Sequence, residues 1–405
     1  METDFSKVNL LRERKIEKGE KWVYVADFNT EYSVSSDGKV RVENPLKFAC
    51  ELEDLSYLLE NGASIAILAH QGRFSDGSAR HLDFAAKFLS ELLDREVNYF
   101  PENSTSKAAR FVKKLQPGEI AIMGNTRFHE GEEKNDPELA RKFARLGEAV
   151  AEGGFAKSHR ENASNIGILE YRKGYLTEGQ RKEMESLKKW AGKSGKFSVA
   201  VLGGAKKEKI TTGLRGFSEI YDAVIPGGIV LNTIYRFLGY EIGSSLISEK
   251  GKTYEKYVEE VFRIPEKRKK LILPERVIVA KRKDGGFEEI EEVPITRGVK
   301  RGYMIVDFSL PAEAHEALER AAEENGRIVI AGTPTLYKHG FTRATDEIVK
   351  YAERCEQALL LGGDTIAEIK FNGFKSPGGG AALYYLVHGT TKVFEALKRN
   401  RERFK

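Results

Sequence analysis

The sequence contains little of what marks the more specialised classes of protein. Its 405 residues include only 2 cysteines and 11 prolines, which excludes a disulfide-rich scaffold and a collagen-like or proline-rich chain. No apolar run approaches the roughly 18–20 residues that a membrane-spanning helix needs, and residues 1–21 are too charged for a secretory signal. With 40% hydrophobic and 31% charged residues, the chain is predicted to be a globular cytoplasmic protein with no membrane partner.

Charge and metal-ligating residues are also too few, or too scattered, to indicate nucleic-acid or metal binding. The 66 Lys and Arg residues nearly balance the 61 Asp and Glu residues, and the net charge of +5 is small for this length. The 7 histidines form no HExxH motif, and Cys50 and Cys355 form no CxxC pair. The basic end at 396–405 is interpreted either as a solvated last helical turn or as an electrostatic contact segment. We therefore expect inert thiols, no dedicated zinc site and no nucleic-acid partner.

Short apolar runs alternate with helical patterns along the chain. The runs at 21–26, 64–69 and 119–123 are the buried strands expected of a parallel sheet. The predicted strands of the second half are 198–202, 221–225, 270–273, 304–308, 327–331 and 358–361. The predicted helices are 83–93, 107–115, 137–150 with Asp136 as its cap, 312–325 and 343–356.

This alternation predicts an α/β chain with two doubly wound, Rossmann-like parallel-sheet domains joined by a hinge helix. The domains are expected at 1–177 and 196–385, with the hinge helix and linker at 178–195. The polar stretch 280–299 is predicted to be an antiparallel excursion of the second domain. A last basic helix at 386–405 is expected to pack back on the N-terminal domain.

Small, cationic loops directly follow several of the predicted strands. They are His70-Gln71-Gly72-Arg73, Gly124-Asn125-Thr126-Arg127 and Gly203-Gly204-Ala205-Lys206. In an open parallel sheet the ligand crevice lies at the carboxyl ends of the strands, where glycines let backbone N–H groups approach an anion. The loops therefore indicate a strongly anionic ligand. No P-loop, GxGxxG or GxSxG motif is present, so the usual nucleotide-binding and hydrolase signatures do not apply.

Nine segments, taken in order, resemble the phosphoglycerate kinase family, and they span about residues 20–395. They are 26–29 (ADFN), 70–73 (HQGR), 125–128 (NTRF), 155–160 (FAKSHR), 201–206 (VLGGAK), 226–228 (PGG), 302–307 (GYMIVD), 362–365 (GGDT) and 376–381 (SPGGGA). The resemblance implies a glycolytic enzyme whose N-terminal domain binds 3-phosphoglycerate and whose C-terminal domain binds Mg-ATP or Mg-ADP. It also implies that the domains close about the hinge.

The resemblance assigns roles to individual residues. Asp27 and Asn29 would hold the hydroxyl side of the substrate, and a cationic set would bind its phosphate: His70, Arg73, Arg127 and Arg160. Lys206 would stabilise the transferring phosphoryl group together with the helix start at Gly378, Gly379 and Gly380. Asp364 would hold Mg²⁺ on the nucleotide phosphates. The remaining nucleotide-binding residues would be Gly203, Gly204, Lys209, Gly228, Pro334, Gly362, Gly363 and Thr365.

Several positions depart from the family pattern. Lys47 falls where the family has its catalytic arginine, with Arg41 as a second candidate, and a lysine lacks the arginine fork. Glu152-Gly153 replaces an Asn-Asp pair, and Lys209 only approximately replaces the second lysine of the nucleotide loop. On the nucleotide side, Ala331 removes a polar group, and Lys338 stands where the family has an acidic ribose contact.

The predicted function is reversible phosphoryl transfer between Mg-ATP and the carboxylate of 3-phosphoglycerate, which gives the acyl phosphate 1,3-bisphosphoglycerate. A monomer with small-molecule partners is expected. Two alternatives remain at this point. The chain is then either a paralogous kinase for a different phosphorylated acid, or a non-catalytic protein that binds phospho-acid and nucleotide. Nucleic-acid binding through the basic tail is the weakest alternative.

Overall fold

The computed structural model describes residues 3–247 and 253–405, which divide into two compact units. The N-terminal unit is the stretch that ends at Ser186 together with Thr390–Lys405, and the C-terminal unit is Leu187–Gly389. Residues 1 and 2 of the expected first domain lie outside the described residues. The first division falls within the predicted hinge segment 178–195, and the second falls just before the last helix of the chain.

The N-terminal unit is built on a six-stranded parallel sheet in the order β5-β6-β4-β1-β7-β8, with β2 and β3 as a separate antiparallel pair. Its strands are β1 Lys21–Val25, β2 Tyr32–Val34, β3 Val40–Val42, β4 Ser64–Leu68, β5 Val97–Phe100, β6 Ile120–Met123, β7 Ala149–Glu152 and β8 Lys173–Leu176. Its helices are α1 Leu46–Ala49, α2 Leu52–Glu60, α3 Asp83–Leu93, α4 Ser106–Lys114, α5 Pro137–Phe143 and α6 Glu178–Leu187, whose last residue crosses the division.

The central strands of this sheet are mostly apolar because both of their faces are covered. All residues of β4, β6 and β7 are buried, as is typical of parallel sheets between helical layers. Asp136 caps α5 as predicted, since its carboxylate accepts a hydrogen bond from Leu139 N at 2.7 Å. The predicted helix 137–150 is too long, however. It ends at Phe143 and is followed by a single 3₁₀ turn and strand β7.

The C-terminal unit contains a five-stranded parallel sheet, β10-β9-β14-β15-β16, and a three-stranded antiparallel sheet, β12-β11-β13. Its strands are β9 Ser198–Leu202, β10 Ala223–Pro226, β11 Arg276–Lys283, β12 Gly286–Pro294, β13 Tyr303–Phe308, β14 Arg327–Ala331, β15 Gln357–Leu361 and β16 Phe374–Ser376. Its helices are α7 Arg215–Ile220, α8 Gly228–Phe237, α9 Glu255–Phe262, α10 Pro265–Arg268, α11 Ala312–Glu323, α12 Arg343–Arg354, α13 Gly363–Glu368 and α14 Gly379–His388.

The antiparallel sheet confirms the excursion predicted at 280–299 and corrects two strand predictions. The apolar run 304–308 is a strand, but it belongs to the antiparallel sheet as β13 rather than to the parallel one. The run 270–273 is not a strand, because Leu271 makes only an isolated bridge to Val224. Its apolar residues pack at the edge of the core but form no continuous ladder of hydrogen bonds with another strand. Periodicity alone cannot distinguish such a segment from a strand.

The last helix, α15 (Lys392–Arg403), lies in the N-terminal unit and is fixed there by one buried amide. The side chain of Asn400 accepts a hydrogen bond from Gly174 N at 2.8 Å and donates to Leu169 O at 2.6 Å. Arg403 pairs with Glu170, and Arg401 donates to the carbonyl oxygen of Val8 at 3.3 Å. Within the described ranges, no helix is long and apolar enough to span a bilayer.

Candidate active site

Four neighbouring strands of the N-terminal sheet bring the predicted phospho-acid residues to one edge. In the order β6-β4-β1-β7, the loops at the carboxyl ends carry Arg127, His70, Asp27 and the segment 155–160. Because the strands are parallel and adjacent, these loops are next to one another. The sequence therefore places the cationic residues correctly at the level of the sheet, and the side chains decide what the edge can bind.

Asp27 lies between two of the predicted site residues. Its carboxylate accepts a hydrogen bond from Lys47 Nζ at 3.0 Å, and its other oxygen lies 4.0 Å from His70 Nδ1. Burial opposes ionisation of Asp27, but Lys47 and the backbone N–H of Asn29 together hold its pKa well below the ordinary value. Burial and the surrounding cations, first among them Lys157, lower the pKa of His70, so the imidazole is neutral at pH 7.

Asn125 connects the loops after β4 and β6. Its side-chain amide donates to the carbonyl oxygens of Gln71 and Arg80, both at 2.7 Å, while its oxygen accepts from Arg127 N at 2.8 Å. It is fully buried. The loop after β4 also needs a glycine, because Gly72 has a φ of +73° and a Cβ there would overlap the backbone of Ser78. Asn125 thus fixes the backbone from which Arg127 extends.

Arg127 is the buried arginine of the predicted phosphate-binding set. It is 2% exposed and pairs with Glu133, and its Nε has no hydrogen-bond partner among the described residues. Buried polar atoms normally have partners, so this N–H is a donor that the described residues leave unused. Arg73 is exposed on the loop after β4, and Arg160 is half-buried at the end of the 155–160 segment.

A buried charged cluster behind the segment 155–160 was missed by the sequence analysis. Lys157, 4% exposed, donates to Ser164 Oγ at 3.3 Å, and Ser164 donates to the carboxylate of Glu132 at 2.6 Å. Glu152 is fully buried, and neither of its oxygens has a hydrogen-bond partner among the described residues. Burial raises the pKa of Glu152 well above its ordinary value, although Lys157 opposes the shift. Lys157 belongs to the segment 155–160, but nothing in the sequence pattern indicates that its charge is buried.

The change to Gly153 makes room for a carboxylate from another element. Glu51 accepts hydrogen bonds from Tyr24 Oη at 2.6 Å and from Gly154 N at 2.9 Å, and a Cβ at Gly153 would overlap the Glu51 carboxylate. Burial raises the pKa of Glu51 to about 7. Three residues further along, Asp54 accepts from the first N–H groups of α6 at 3.0 and 2.9 Å. The stretch from Lys47 to Asp54 therefore contacts Asp27, the loop after β7 and the start of α6.

In the C-terminal unit, glycines let three strand-end loops interlock through their backbones. Gly203 N donates to Ala331 O at 3.1 Å, and Gly228 N donates to Pro334 O at 2.9 Å. A Cβ at Gly203 would overlap the backbone at Pro334, so the two loops can meet only through glycine. The loops after β9, β10 and β14 are thus in contact and form one continuous surface, the glycine floor, which carries several of the predicted nucleotide-binding residues.

Lys206, on the loop after β9, forms an ion pair with Asp364. The Lys206 ammonium lies 2.8 Å from the Asp364 carboxylate, and both side chains are about 70% exposed. Such an exposed pair adds little stability and separates easily. Lys209 is instead buried at 7% exposure beside Gly332, and burial, with Lys206 nearby, lowers its pKa to about 8.

Two helix starts complete the C-terminal group of residues. Asp364 and the buried Thr365 lie in the first turn of α13, directly after Gly362 and Gly363. Gly378 and Gly379 begin α14, a ten-residue helix, and Gly378 N donates to Ser376 Oγ at 3.2 Å. The first-turn N–H groups of α14, including that of Gly380, can bind an anion.

The positions of Ala331 and Lys338 show how this unit differs from the expected pattern. Ala331 is the fully buried last residue of β14. Lys338 lies 3.3 Å from the carboxylate of Glu368, whose other oxygen accepts a hydrogen bond from Thr333 Oγ1 at 2.6 Å. Asp307, the last residue of the 302–307 motif, accepts from the N–H groups of Arg343 and Ala344 and so caps α12.

Comparison with known proteins decides the family. The phosphoglycerate kinase family model matches residues 15–389. The phosphoglycerate kinase of Thermosipho africanus is 32% identical over 387 residues, which cover 91% of this chain and 92% of that protein. The chain belongs to the phosphoglycerate kinase family.

Solved structures of phosphoglycerate kinases agree with this assignment. The enzyme of Pyrococcus horikoshii matches with a TM-score of 0.74 at 25% identity, over 98% of this chain and all of that one. The enzyme of Coxiella burnetii matches with a TM-score of 0.71 at the same identity and coverage. The family, the two-domain parallel-sheet fold and the class of enzyme, a kinase with a carboxyl acceptor, are thereby confirmed.

The residues present fit a magnesium ion that a phosphoglycerate kinase receives with its nucleotide. Mg²⁺ is usually held by one or two carboxylates together with substrate phosphates and water. Asp364 is an exposed carboxylate beside the glycine floor, and the described residues contain no group of three metal-ligating side chains. A single carboxylate suits an ion that arrives on phosphate oxygens rather than one held by the protein alone.

Proposed function

We propose that the chain is a phosphoglycerate kinase that transfers a phosphoryl group reversibly between Mg-ATP and the carboxylate of 3-phosphoglycerate. The observation that carries this proposal is the loop edge of the N-terminal sheet, where Asp27, His70 and Arg127 follow adjacent strands. An acid with a hydroxyl group and a phosphate matches a buried carboxylate and a guanidinium on loops at the same edge of the sheet. The proposed enzyme acts in the cytoplasm as a monomer, with 178–195 as its hinge.

In the proposed reaction, a carboxylate oxygen of the substrate attacks the γ-phosphorus while the bond to the β,γ-bridging oxygen breaks and ADP leaves. No proton is transferred, because the attacking group is already ionised. The site therefore needs no general base, which agrees with a His70 that is neutral and enclosed by cations. What it needs is positive charge around the transferring group.

Residues of the N-terminal unit would bind the phospho-acid, and residues of the C-terminal unit would bind the nucleotide. Arg73, Arg127 and Arg160 would bind the substrate phosphate, and Asp27 and Asn29 would orient its hydroxyl side. On the other unit, Asp364 would bind the Mg²⁺ of the nucleotide, and Lys206 would leave Asp364 for the phosphoryl oxygens. Gly378 to Gly380 would donate N–H groups to the same charge. Closure of the two units about the hinge would bring the substrates together.

A coupled assay that traps the acyl phosphate tests the proposal. Mg-ATP and 3-phosphoglycerate are supplied to the wild type, to Lys206→Ala and to a matched control, Lys207→Ala, whose side chain is also exposed. The expected loss in Lys206→Ala is about 100-fold or more in kcat, with little change in affinity for the phospho-acid. Turnover that is equal in all three proteins would contradict the role of Lys206.

A different phosphorylated acid is the second candidate substrate, and the buried cluster of Glu132, Glu152 and Lys157 favours it. This cluster introduces charge directly behind the segment that carries Arg160. The same assay with a panel of phosphorylated carboxylic acids decides between the two. A kcat/KM that is at least tenfold higher for another acid would replace 3-phosphoglycerate. Binding of both ligands without any turnover would instead support the non-catalytic alternative.

A further inference from the structure

The cluster formed by Thr333, Lys338 and Glu368 is the strongest feature of the C-terminal unit that the proposed reaction does not use. The Glu368 side chain is only 13% exposed, although Glu368 is the last residue of the short helix α13. One oxygen accepts from Thr333 Oγ1 at 2.6 Å and the other lies 3.3 Å from Lys338 Nζ. A carboxylate held at both oxygens has a fixed orientation, unlike an ordinary surface glutamate.

This carboxylate is connected to the floor of the nucleotide site. The carbonyl oxygen of Thr333 accepts a hydrogen bond from Gly204 N, so the residue that holds Glu368 also holds the glycine loop. Asp364 and Glu368 are four residues apart on α13, and their side chains are on one face, about 6 Å apart along the helix axis. Glu368 therefore lies one turn beyond the residue proposed to bind Mg²⁺ on the phosphates.

The phosphates and the ribose of a nucleotide follow one another in the same order as Asp364 and Glu368 along α13. Beyond the phosphates comes the ribose, whose two neighbouring hydroxyl groups are hydrogen-bond donors that match a carboxylate. We infer that Glu368 accepts hydrogen bonds from the ribose hydroxyls of the bound nucleotide, and that Lys338 and Thr333 position its carboxylate. This inference rests on the proposed function, because it takes the C-terminal unit to bind ADP and ATP.

The geometry also explains the lysine at position 338. The resemblance places an acidic ribose contact there. A lysine alone cannot replace it, because an ammonium group cannot accept a hydrogen bond from a hydroxyl group. With Glu368 on the facing helix, the acceptor is present and Lys338 neutralises its charge. The acidic group has in effect moved from the loop after β14 to α13.

Direct binding of ADP, 2′-deoxy-ADP and 3′-deoxy-ADP by calorimetry tests this inference. Wild-type protein is expected to prefer ADP by about tenfold, which is typical of a hydrogen bond to a charged group. In Glu368→Gln the affinity for ADP falls about tenfold, while the affinity for the deoxy analogues stays unchanged. The control Glu266→Gln, at an exposed pair with Lys269, keeps the wild-type preference.

A charge swap protects the test against a variant that merely loses stability. Lys338→Glu combined with Glu368→Lys keeps one carboxylate in the pair and is expected to restore most of the preference for ADP. An unchanged preference in Glu368→Gln, or equal losses for ADP and the deoxy analogues, would overturn the ribose role. A wild-type protein that binds none of the three nucleotides would overturn the proposed function itself, so the two failures are distinguishable.

Discussion

Lys47 donates a hydrogen bond to the Asp27 carboxylate across 3.0 Å, although the two residues are on different elements of the N-terminal unit. Asp27 is 6% exposed and follows β1, while Lys47 is in α1. The charge of Asp27 is thus stabilised by the residue that we propose in place of the family's catalytic arginine. This contact holds the Lys47 ammonium beside Asp27, at the edge of the proposed phospho-acid site.

Replacing Lys47 with arginine is expected to preserve or raise kcat, because a guanidinium keeps the contact with Asp27 and adds a fork for phosphoryl oxygens. Lys47→Ala should lower kcat and destabilise the fold by about 3–5 kcal/mol, since it leaves a buried carboxylate unpaired. The checks are steady-state kinetics and urea unfolding. A severe loss of activity in Lys47→Arg would show that the pocket is built around a lysine.

Glu51 should make the stability of the protein depend on pH. Its pKa is raised to about 7 in the folded protein from an ordinary 4.5, so the folded state binds more protons than the unfolded state between these values. The stabilisation is fully present below pH 4.5 and is lost as pH rises through 7, by roughly 3 kcal/mol in total. Glu51→Gln mimics the protonated form and should flatten this part of the profile.

Urea unfolding of wild type and Glu51→Gln at pH 5, 6, 7 and 8 measures the effect as a difference between the two proteins. Other titrating groups are common to both and cancel. The variant is expected to match the wild type at pH 5 and to exceed it at pH 8. A constant difference across the four pH values would show that the Glu51 carboxyl does not titrate in this range.

Asn125 should matter for both stability and substrate affinity. Asn125→Ala removes the donors to Gln71 O and Arg80 O and the acceptor for Arg127 N, all in a fully buried place. The expected cost is about 2–4 kcal/mol of unfolding free energy, with a raised KM for the phospho-acid, because unsatisfied buried groups are expensive. Asn372→Ala, at an exposed asparagine, is the control. Equal stability of both variants would contradict this role.

Local sequence patterns predicted most of the fold because parallel strands and their helices are strongly periodic. The continuous apolar runs of β1, β4 and β9 are such elements. The failures came where periodicity carries no information. Residues 270–273 are apolar without a partner strand. The apolar spacing also continues past Phe143 through Leu146 and Val150, so it does not mark where the helix ends.

The part of the site that consists of single residues directly after strand ends was predictable from the sequence. Asp27, His70 and Arg127 follow adjacent strands, so the topology alone brings them to one edge. Compensating pairs were not predictable, because Glu51 fills the space at Gly153, and Glu368 holds Lys338, from distant positions in the chain. A departure from a family motif therefore says little until the element packed against it is known.

The affinity for ADP should fall as pH rises above 8, through Lys209. Burial beside the glycine floor, with Lys206 nearby, lowers the pKa of its ammonium to about 8, so the site loses a positive charge between pH 7.5 and 9.5. The phosphates of ADP are already ionised in this range and contribute no slope. Calorimetry across it should show a decline of about tenfold in wild type and in the control Lys207→Ala. Lys209→Arg should hold its affinity, because a guanidinium stays charged. A flat wild-type profile would mean that Lys209 does not face the nucleotide.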